Sequence, residues 1–364
     1  MPELTVVVPV FNGERFLAAT LDSVLAQSMP DFELIVVNDG STDRTAEILA
    51  GYASRDRRIN VVYQKNAGAT VAANLAGQLA TAPYIARLDA DDISLPARLE
   101  RQLAFLQRYR DVALLGSAAE FINEADAVFF TESVPTGNDE IKALLPERNV
   151  FVHSAVAMRR DVFLAVGGYR RAFAGASDDY DLWLRIAERY EVANLSEVLV
   201  RYRVHRGQST ATRLPEQTRS SLGARVSARL RRSGHDDPFG FLTSVSRDTL
   251  TRLGIATSQI EDEIATTGRN WARVMAAAGD HDAALALARE AWREGRGRVV
   301  TRHEVGRFYV AVARASLARG RVVPGLRAAG QALWWQPALL GRLLRGGLRH
   351  ATRELRGDGR QPEK

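Results

Sequence analysis

At 364 residues, 46% of them hydrophobic, the chain is long enough for two domains and apolar enough to bury a core. It contains no cysteine, which excludes a disulfide framework and any thiolate metal site, so a bound metal must take oxygen or imidazole ligands. The net charge of +6 hides an asymmetry: residues 216–364 carry 26 Lys+Arg against 15 Asp+Glu, net +11, while residues 1–215 carry 23 against 28, net −5.

Lysine occurs only at 65, 142 and 364, an arginine bias that a GC-rich genome explains without invoking function. The start, Met-Pro-Glu-Leu-Thr-Val-Val-Val-Pro-Val, lacks the basic flank and long apolar run of a secretory signal, so a cytoplasmic location is expected. The most apolar stretch near the end, residues 332–344, is interrupted by Gln336, Pro337 and Arg342 and is too short to span a bilayer.

In chain order, Leu4 to Val10 and Phe32 to Val37 are short β-branched runs that predict buried parallel strands. Between them Phe16, Leu17, Thr20, Leu21, Val24 and Leu25 recur at helical spacing. Asn38 to Asp43 supplies a turn and a helix start, followed by a helix over 45–53, a strand over 59–63, a helix over 69–80 and a strand over 84–88. Alternating strands and helices imply an α/β domain with a mostly parallel sheet, whose ligands bind beyond the carboxyl ends of the strands. The loops at that rim carry Pro9 to Asn12, Asn38 to Gly40, Gln64 to Gly68, and Asp89-Ala90-Asp91-Asp92.

Beyond about residue 213 the sequence turns to Ala, Leu and Arg with no strand pattern, which places a helical region at 214–364 after a catalytic domain at 1–213. Residues 276–291 resemble half of a helical-hairpin repeat, and 317–337 a weaker second copy. At the end, Leu339, Leu340, Leu343, Leu344 and Leu348 interleave with Arg342, Arg345, Arg349, Arg353 and Arg356 as a basic amphipathic helix. Without interleaved aromatics these arginines argue against nucleic acid; an anionic membrane surface, at the inner face of the plasma membrane, suits them, and so does packing on the catalytic domain.

Asp89-Ala90-Asp91 at a strand end points two carboxylates to one side, where both can face a divalent cation and its phosphates. Together with the other segments this chain resembles glycosyltransferase family 2. The resemblance is carried by Val6 to Asn12, Ile35 to Asp43, Asn66-Ala67-Gly68 with Ala73-Asn74, Ile85 to Asp92, Asp178 to Arg185 and Arg201 to His205, in that order over residues 4–210.

The resemblance implies the GT-A fold, a Rossmann-like and mostly parallel sheet flanked by helices. It also implies an inverting, metal-dependent transfer from a nucleoside diphosphate sugar, UDP-linked as the first expectation. The acceptor would be a glycan or lipid-linked hydroxyl in polysaccharide or cell-envelope glycan synthesis. By it Pro9, Asn12, Glu14, Asp39, Asn66 and Gly68 would hold the base and ribose. Asp39 suits an imide N–H, and equally a turn or helix start. Asp91, Asp89 and His205 would hold Mg²⁺ or Mn²⁺. Arg87 would steady the diphosphate or pair with a neighbouring acid. Asp179 would be the base, with Asp178 beside it standing where the family usually has glutamate.

Asp181 and Trp183 are expected as helix and acceptor-wall residues. Ala73 stands where many relatives have arginine, and Lys65 is a candidate substitute. His153-Ser154 and Gly167-Gly168-Tyr169 resemble an acceptor-side segment, the glycines being a mobile loop or a plain turn. A dehydrogenase is excluded by the lack of Gly-x-Gly-x-x-Gly after the first strand. A nucleotidyltransferase is disfavoured by the lack of a basic, glycine-rich phosphate loop, and an inert binding scaffold by the full set of Asp89, Asp91 and Asp179.

Overall fold

β1 (Leu4–Val10) is buried from end to end, because it lies between two parallel partners. The computed structural model describes residues 2–336, and among them the remaining strands are β2 (Phe32–Asn38), β3 (Ile59–Tyr63), β4 (Tyr84–Arg87), β5 (Ile93–Ser94), β6 (Val112–Ile122), β7 (Val128–Glu132), β8 (Ala157–Arg159) and β9 (Glu191–Arg203). They form one sheet in the order β3-β2-β1-β4-β8-β6-β9-β5, with β7 added to β6. β3, β2, β1 and β4 are mutually parallel, whereas β8 is antiparallel to β4. Pro9 is tolerated in a central strand because β4 stops pairing at Arg87, opposite Val7, so no strand there requires its missing N–H.

Helices α1 (Leu17–Leu25), α2 (Thr45–Ala53), α3 (Ala69–Leu79), α4 (Arg98–Arg108), α5 (Asn138–Leu144), α6 (Arg160–Ala165) and α7 (Asp178–Ala187) connect the strands. In α1 the positions Leu17, Thr20, Leu21 and Val24 are buried, the stripe its spacing predicts, and they pack with Val6, Val8, Leu34 and Val36 of the sheet. α3 instead buries small residues, Ala72, Ala73, Ala76 and Gly77, so that it lies close to its neighbours: a Cβ at Gly77 would sit 2.4 Å from the Phe163 ring.

After β9 the described chain is helical: α8 (Ser209–Thr212), α9 (Leu214–Arg232), α10 (Arg247–Arg252), α11 (Thr257–Ala277), α12 (His281–Glu294), α13 (Arg302–Ala318) and α14 (Val322–Trp335). The chain divides into a compact unit Met1–Ile260 and another beginning at Glu261. α9 and α10 therefore belong with the sheet, past the 213/214 boundary that composition implied, because α9 packs along α7.

The second unit has its own core of Ala291, Val305, Tyr309, Val312, Ala328, Ala332 and Trp335. Its helical-hairpin character is explicit. Gly279 and Gly320, both with positive φ, end α11 and α13, and in each the next residue donates its N–H back to a carbonyl of the helix just ended. The basic leucine-rich segment 339–356 lies outside the described residues. No described helix is long and apolar enough to cross a membrane.

Candidate active site

Four loops meet at the carboxyl ends of β1 to β4, and the first three are fastened to one another. Asn12 adopts a left-handed φ of 51°, and its side-chain Oδ1 accepts from Thr42 N–H at 2.8 Å while its own N–H donates to Ser41 Oγ. Glu14 accepts from Arg44 N–H at 3.0 Å, and Glu14 N–H donates to Asp43. The oxygens expected to meet a nucleotide at Asn12 and Glu14 thus bind the second loop and hold it against the first.

Asp39 is buried, and its carboxylate accepts from Gln64 Nε2 at 2.6 Å and from the N–H groups of Ala67 and Gly68, each at 2.8 Å. It therefore shapes the third loop, with Asn66 and Lys65 exposed on it. Gly40 and Gly68 have positive φ, and a Cβ at Gly40 would lie 2.6 Å from the Asn66 nitrogen, so this approach of the two loops demands glycine. Gln64 was placed at the rim by the sequence but given no role, because its contact with Asp39 spans 25 positions.

At the end of β4, Arg87 is buried and its guanidinium donates to Val7 O, Leu88 O and, at 2.5 Å, Asp89 Oδ1. Of its two sequence readings, pairing with a neighbouring acid is the one the geometry realises. Asp89 also faces His153 Nδ1 at 3.6 Å, and its backbone N–H donates to Ser154 Oγ. Burial alone would raise the Asp89 carboxyl, but Arg87, His153 and the Ser154 hydroxyl outweigh it and hold it below the ordinary carboxylate range.

Asp91 Oδ2 lies 2.9 Å from His205 Nε2, which brings together two residues 114 positions apart. Arg203 makes this possible. Its N–H donates to Asp92 Oδ1 at 2.7 Å, its Nε donates to Asp91 O at 2.8 Å, and its guanidinium lies over the Phe16 ring. Asp92 is buried, and burial, followed by repulsion from Asp91 and Asp89, pushes its carboxyl well above the usual range. Its part in tying β9 to the strand end was not legible in the motif. Among the described residues, no group of three or more metal-ligating side chains converges.

The start of α7 closes the other side. Asp178 accepts from the Thr70 hydroxyl, and Thr70 in turn accepts from Gly175 N–H at 2.9 Å, so Asp178 pins α7 to α3. Asp179 has no such tie; Asn149 Nδ2 donates to it at 3.2 Å. Burial raises its carboxyl, His153 pulls it down, Asp178 and Asp89 repel it, and the net shift is upward. His153 itself contacts Tyr169 Oη at 3.2 Å.

One sequence expectation changes here, and one of two open readings is realised. Trp183 is fully buried against Phe151, His153 and Tyr169, so it supports the wall from behind and offers an acceptor no surface. Gly167 and Gly168, both with positive φ, end α6 as a turn, and Gly168 leaves room for Asn74, which clamps the Tyr169 backbone with two hydrogen bonds. Ala73 is buried, and Lys65 is the exposed cation at this rim segment.

The geometry thus gathers Asp89, Asp91, His205, His153 and Asp179 at one end of the sheet. The profile of the family described as Glycosyl transferase family 2 matches residues 5–167. An O-antigen biosynthesis glycosyltransferase of Escherichia coli, WbnJ, is 34% identical over 208 residues, 56% of this chain and 80% of that protein. The amylovoran biosynthesis glycosyltransferase AmsE of Erwinia amylovora is 30% identical over 55% of this chain and 75% of its own length. Among solved structures, S. aureus TarS 1–349 in complex with UDP-GlcNAc aligns with a TM-score of 0.54 at 15% identity, covering 90% of each chain. Mannosyltransferase PcManGT from Pyrobaculum calidifontis, in complex with GDP-Man and Mn²⁺, aligns at 0.51 and 20% identity, covering 92% of this chain and 88% of that one.

Replacing Arg87 with methionine keeps the buried stem and strips Asp89 of its main counter-charge. A loss of about 2–4 kcal/mol at neutral pH is expected, toward the lower part of the range for a broken buried pair because Asp89 is part exposed. Since Asp89 is depressed in the folded state, its share of that loss is present above the unfolded carboxyl value of ~3.9 and fades as pH falls below it. Urea unfolding of both proteins at neutral and acid pH checks this; a gap that does not narrow would contradict it.

Proposed function

This chain belongs to glycosyltransferase family 2, and from that premise we propose that it moves a sugar, with inversion, from a nucleoside diphosphate sugar to a hydroxyl of a glycan or lipid-linked acceptor. The acceptor class is a growing polysaccharide or envelope glycan, as the names of the O-antigen and amylovoran relatives suggest. The observation that carries the reading is the division of labour between two adjacent carboxylates: Asp178 is committed to Thr70, while Asp179 has no arginine partner and its proton affinity is raised despite the pull of His153.

The reaction needs a base for a hydroxyl whose own pKa lies far above neutrality. Asp179 takes that proton as the acceptor oxygen forms its bond to the anomeric carbon, and the bond from that carbon to the diphosphate breaks on the opposite face. The other acids near the site each have a partner, Asp89 in Arg87, Asp178 in Thr70 and Asp91 in His205, which favours a single displacement, and therefore inversion, over a covalent sugar intermediate.

Asp91 and His205 are the residues that would hold Mg²⁺ or Mn²⁺, an oxygen and an imidazole donor whose chemistry suits either ion. Two protein donors fit a cation that arrives with its diphosphate rather than one held by the chain alone. When bound, the cation supplies positive charge against the leaving diphosphate. The three fastened loops, with Asp39 at their junction and Asn66 and Lys65 exposed, form the base and ribose side; a UDP-sugar is the donor to try first, with GDP-sugars beside it. The basic leucine-rich segment 339–356 would place the enzyme at an anionic membrane, close to a lipid-linked acceptor.

Donor binding and turnover across a panel of nucleotide sugars, with and without Mn²⁺, test these roles. Asp91→Asn should weaken metal-dependent donor binding by ~10–100-fold. Asp179→Asn should leave donor binding intact and lower kcat by ~10²–10⁴. In the wild type, kcat should fall as pH drops through a value above the ordinary aspartate ~3.9, because Asp179 must be unprotonated to act. If no nucleotide sugar bound with any metal, a binding scaffold would replace this reading. Separately, removing residues 338–364 should reduce co-sedimentation with anionic liposomes, and unchanged co-sedimentation would remove the membrane contact.

A further inference from the structure

Two residues beyond Asp179 the same helix buries a third carboxylate completely. Asp181 Oδ2 accepts from Arg170 Nε and from Arg185 Nε, each at 2.9 Å. Arg170 continues outward, donating through Nη1 to Asp237 Oδ2 and through Nη2 to Ser227 Oγ, both at 2.7 Å. Asp237 Oδ2 also receives the Ser227 hydroxyl and Arg231 Nη1, again at 2.7 Å each. Arg231 then forks onto Glu188, with contacts of 2.9 and 2.6 Å, just past the end of α7. α7 is therefore gripped near its start through Asp181 and at its end through Glu188, and both grips meet at Asp237.

Asp237 lies after α9, well beyond the residues the family profile matches. Its other oxygen accepts from Phe239 N–H at 3.1 Å, and Phe239 stacks on Phe173 with ring centroids 5.4 Å apart. Further ties run the same way: Ser177 Oγ donates to Gln217 O, and Arg213 Nη1 to Gly175 O, so α9 holds the segment that leads into the Asp178-Asp179 pair. Gly223 lets this layer close, since a Cβ there would meet Val245 at 2.8 Å.

Of these six charges Asp181 and Arg185 are buried, Arg170, Arg231 and Asp237 are half-buried and Glu188 is exposed, so the network adds little net stability: desolvation offsets the attraction at its core and solvent screens it at its rim. What such a network does impose is one geometry, since any shift of α7 would strand a buried charge. An α-helix is stiff over two residues, so fixing Asp181 fixes the direction of Asp179. Burial alone would raise the Asp237 carboxyl, yet Ser227, Arg170 and Arg231 hold it down at about 2, which keeps the hub charged at neutral pH.

We propose that Asp237, acting through Arg170 and Arg231, is a positioning residue for the base-bearing helix, so that α9 and the turn after it are required for transfer rather than appended to it. This rests on the reading of Asp179 as the base. The test compares wild type, Asp237→Asn and the milder Ser227→Ala in the full chain by three readouts: kcat with the preferred donor, donor affinity, and amide hydrogen exchange. The expected result for Asp237→Asn is a kcat lower by about 10–100-fold, the loss that a ~1 Å misplacement brings, with donor affinity unchanged. Exchange should quicken at 175–185 and stay unchanged in β1 and β2, and Ser227→Ala should show the same pattern more weakly.

Unchanged kcat and exchange in both variants would overturn the proposal. Loss of donor affinity in step with kcat, or faster exchange throughout the unit, would also overturn it, since either marks a merely structural brace. If Asp237→Asn does not fold, Ser227→Ala decides by the same readouts. If the wild type transfers no sugar, the functional reading fails on its own, and the exchange pattern still decides whether Asp237 positions α7.

Discussion

The buried guanidinium of Arg87 is the contact around which the site is arranged. It sits at the end of β4, where the sheet delivers Asp89, Asp91 and Asp92 within four residues, and its bonds to Val7 O, Leu88 O and Asp89 join the central strand to the acidic turn. Without a cation in that place three adjacent carboxylates would repel one another in a poorly hydrated pocket. With it, Asp89 stays inward and below the ordinary carboxylate range, Asp92, pushed upward by burial, binds β9, and Asp91 is left to face His205. The same logic governs α7, where Asp178 is absorbed by Thr70 and Asp181 by two arginines. Of all these acids, Asp91 and Asp179 remain for chemistry.

Much of this architecture was legible because it rests on short-range pattern. The run Leu4–Val10 and the spacing of Leu17, Leu21 and Val24 state their burial directly, and the strand and helix limits through Arg87 fall within a residue or two of expectation. The acidic motif and its distant partner His205 could be named from order along the chain, and the fold does bring Asp91 and His205 into contact. What the sequence did not show is which polar groups also hold the loops together. Asn12, Glu14 and Asp39 read as ligand contacts, and their oxygens in addition satisfy backbone N–H groups of neighbouring loops, a long-range choice no local pattern encodes. Trp183 read as wall and is core, since its aromatic partners Phe151, His153 and Tyr169 come from segments 14 or more residues away.

The helical region was legible as helix, its division less so. Composition changes at about residue 213, whereas the compact unit built on the sheet runs to Ile260, and Arg231 of α9 with Asp237 after it completes the α7 network. Charge complementarity between Arg170, Asp237 and Arg231 is a pairing of residues up to 67 positions apart, so it appears only once the chain is folded. The unit beginning at Glu261 is organised differently, around small residues and aromatics, with glycine-ended helical corners that the sequence did announce.

The central claim is that a single carboxylate, Asp179, held by no arginine, works without a covalent intermediate. The direct measurement is the anomeric configuration of the transferred sugar in the product glycoside, read by proton NMR with an α-linked nucleotide sugar as donor. The account predicts a β-linked product from that donor. An α-linked product would require a second displacement, and with it a nucleophile that the arrangement of Asp89, Asp178 and Asp179 does not provide.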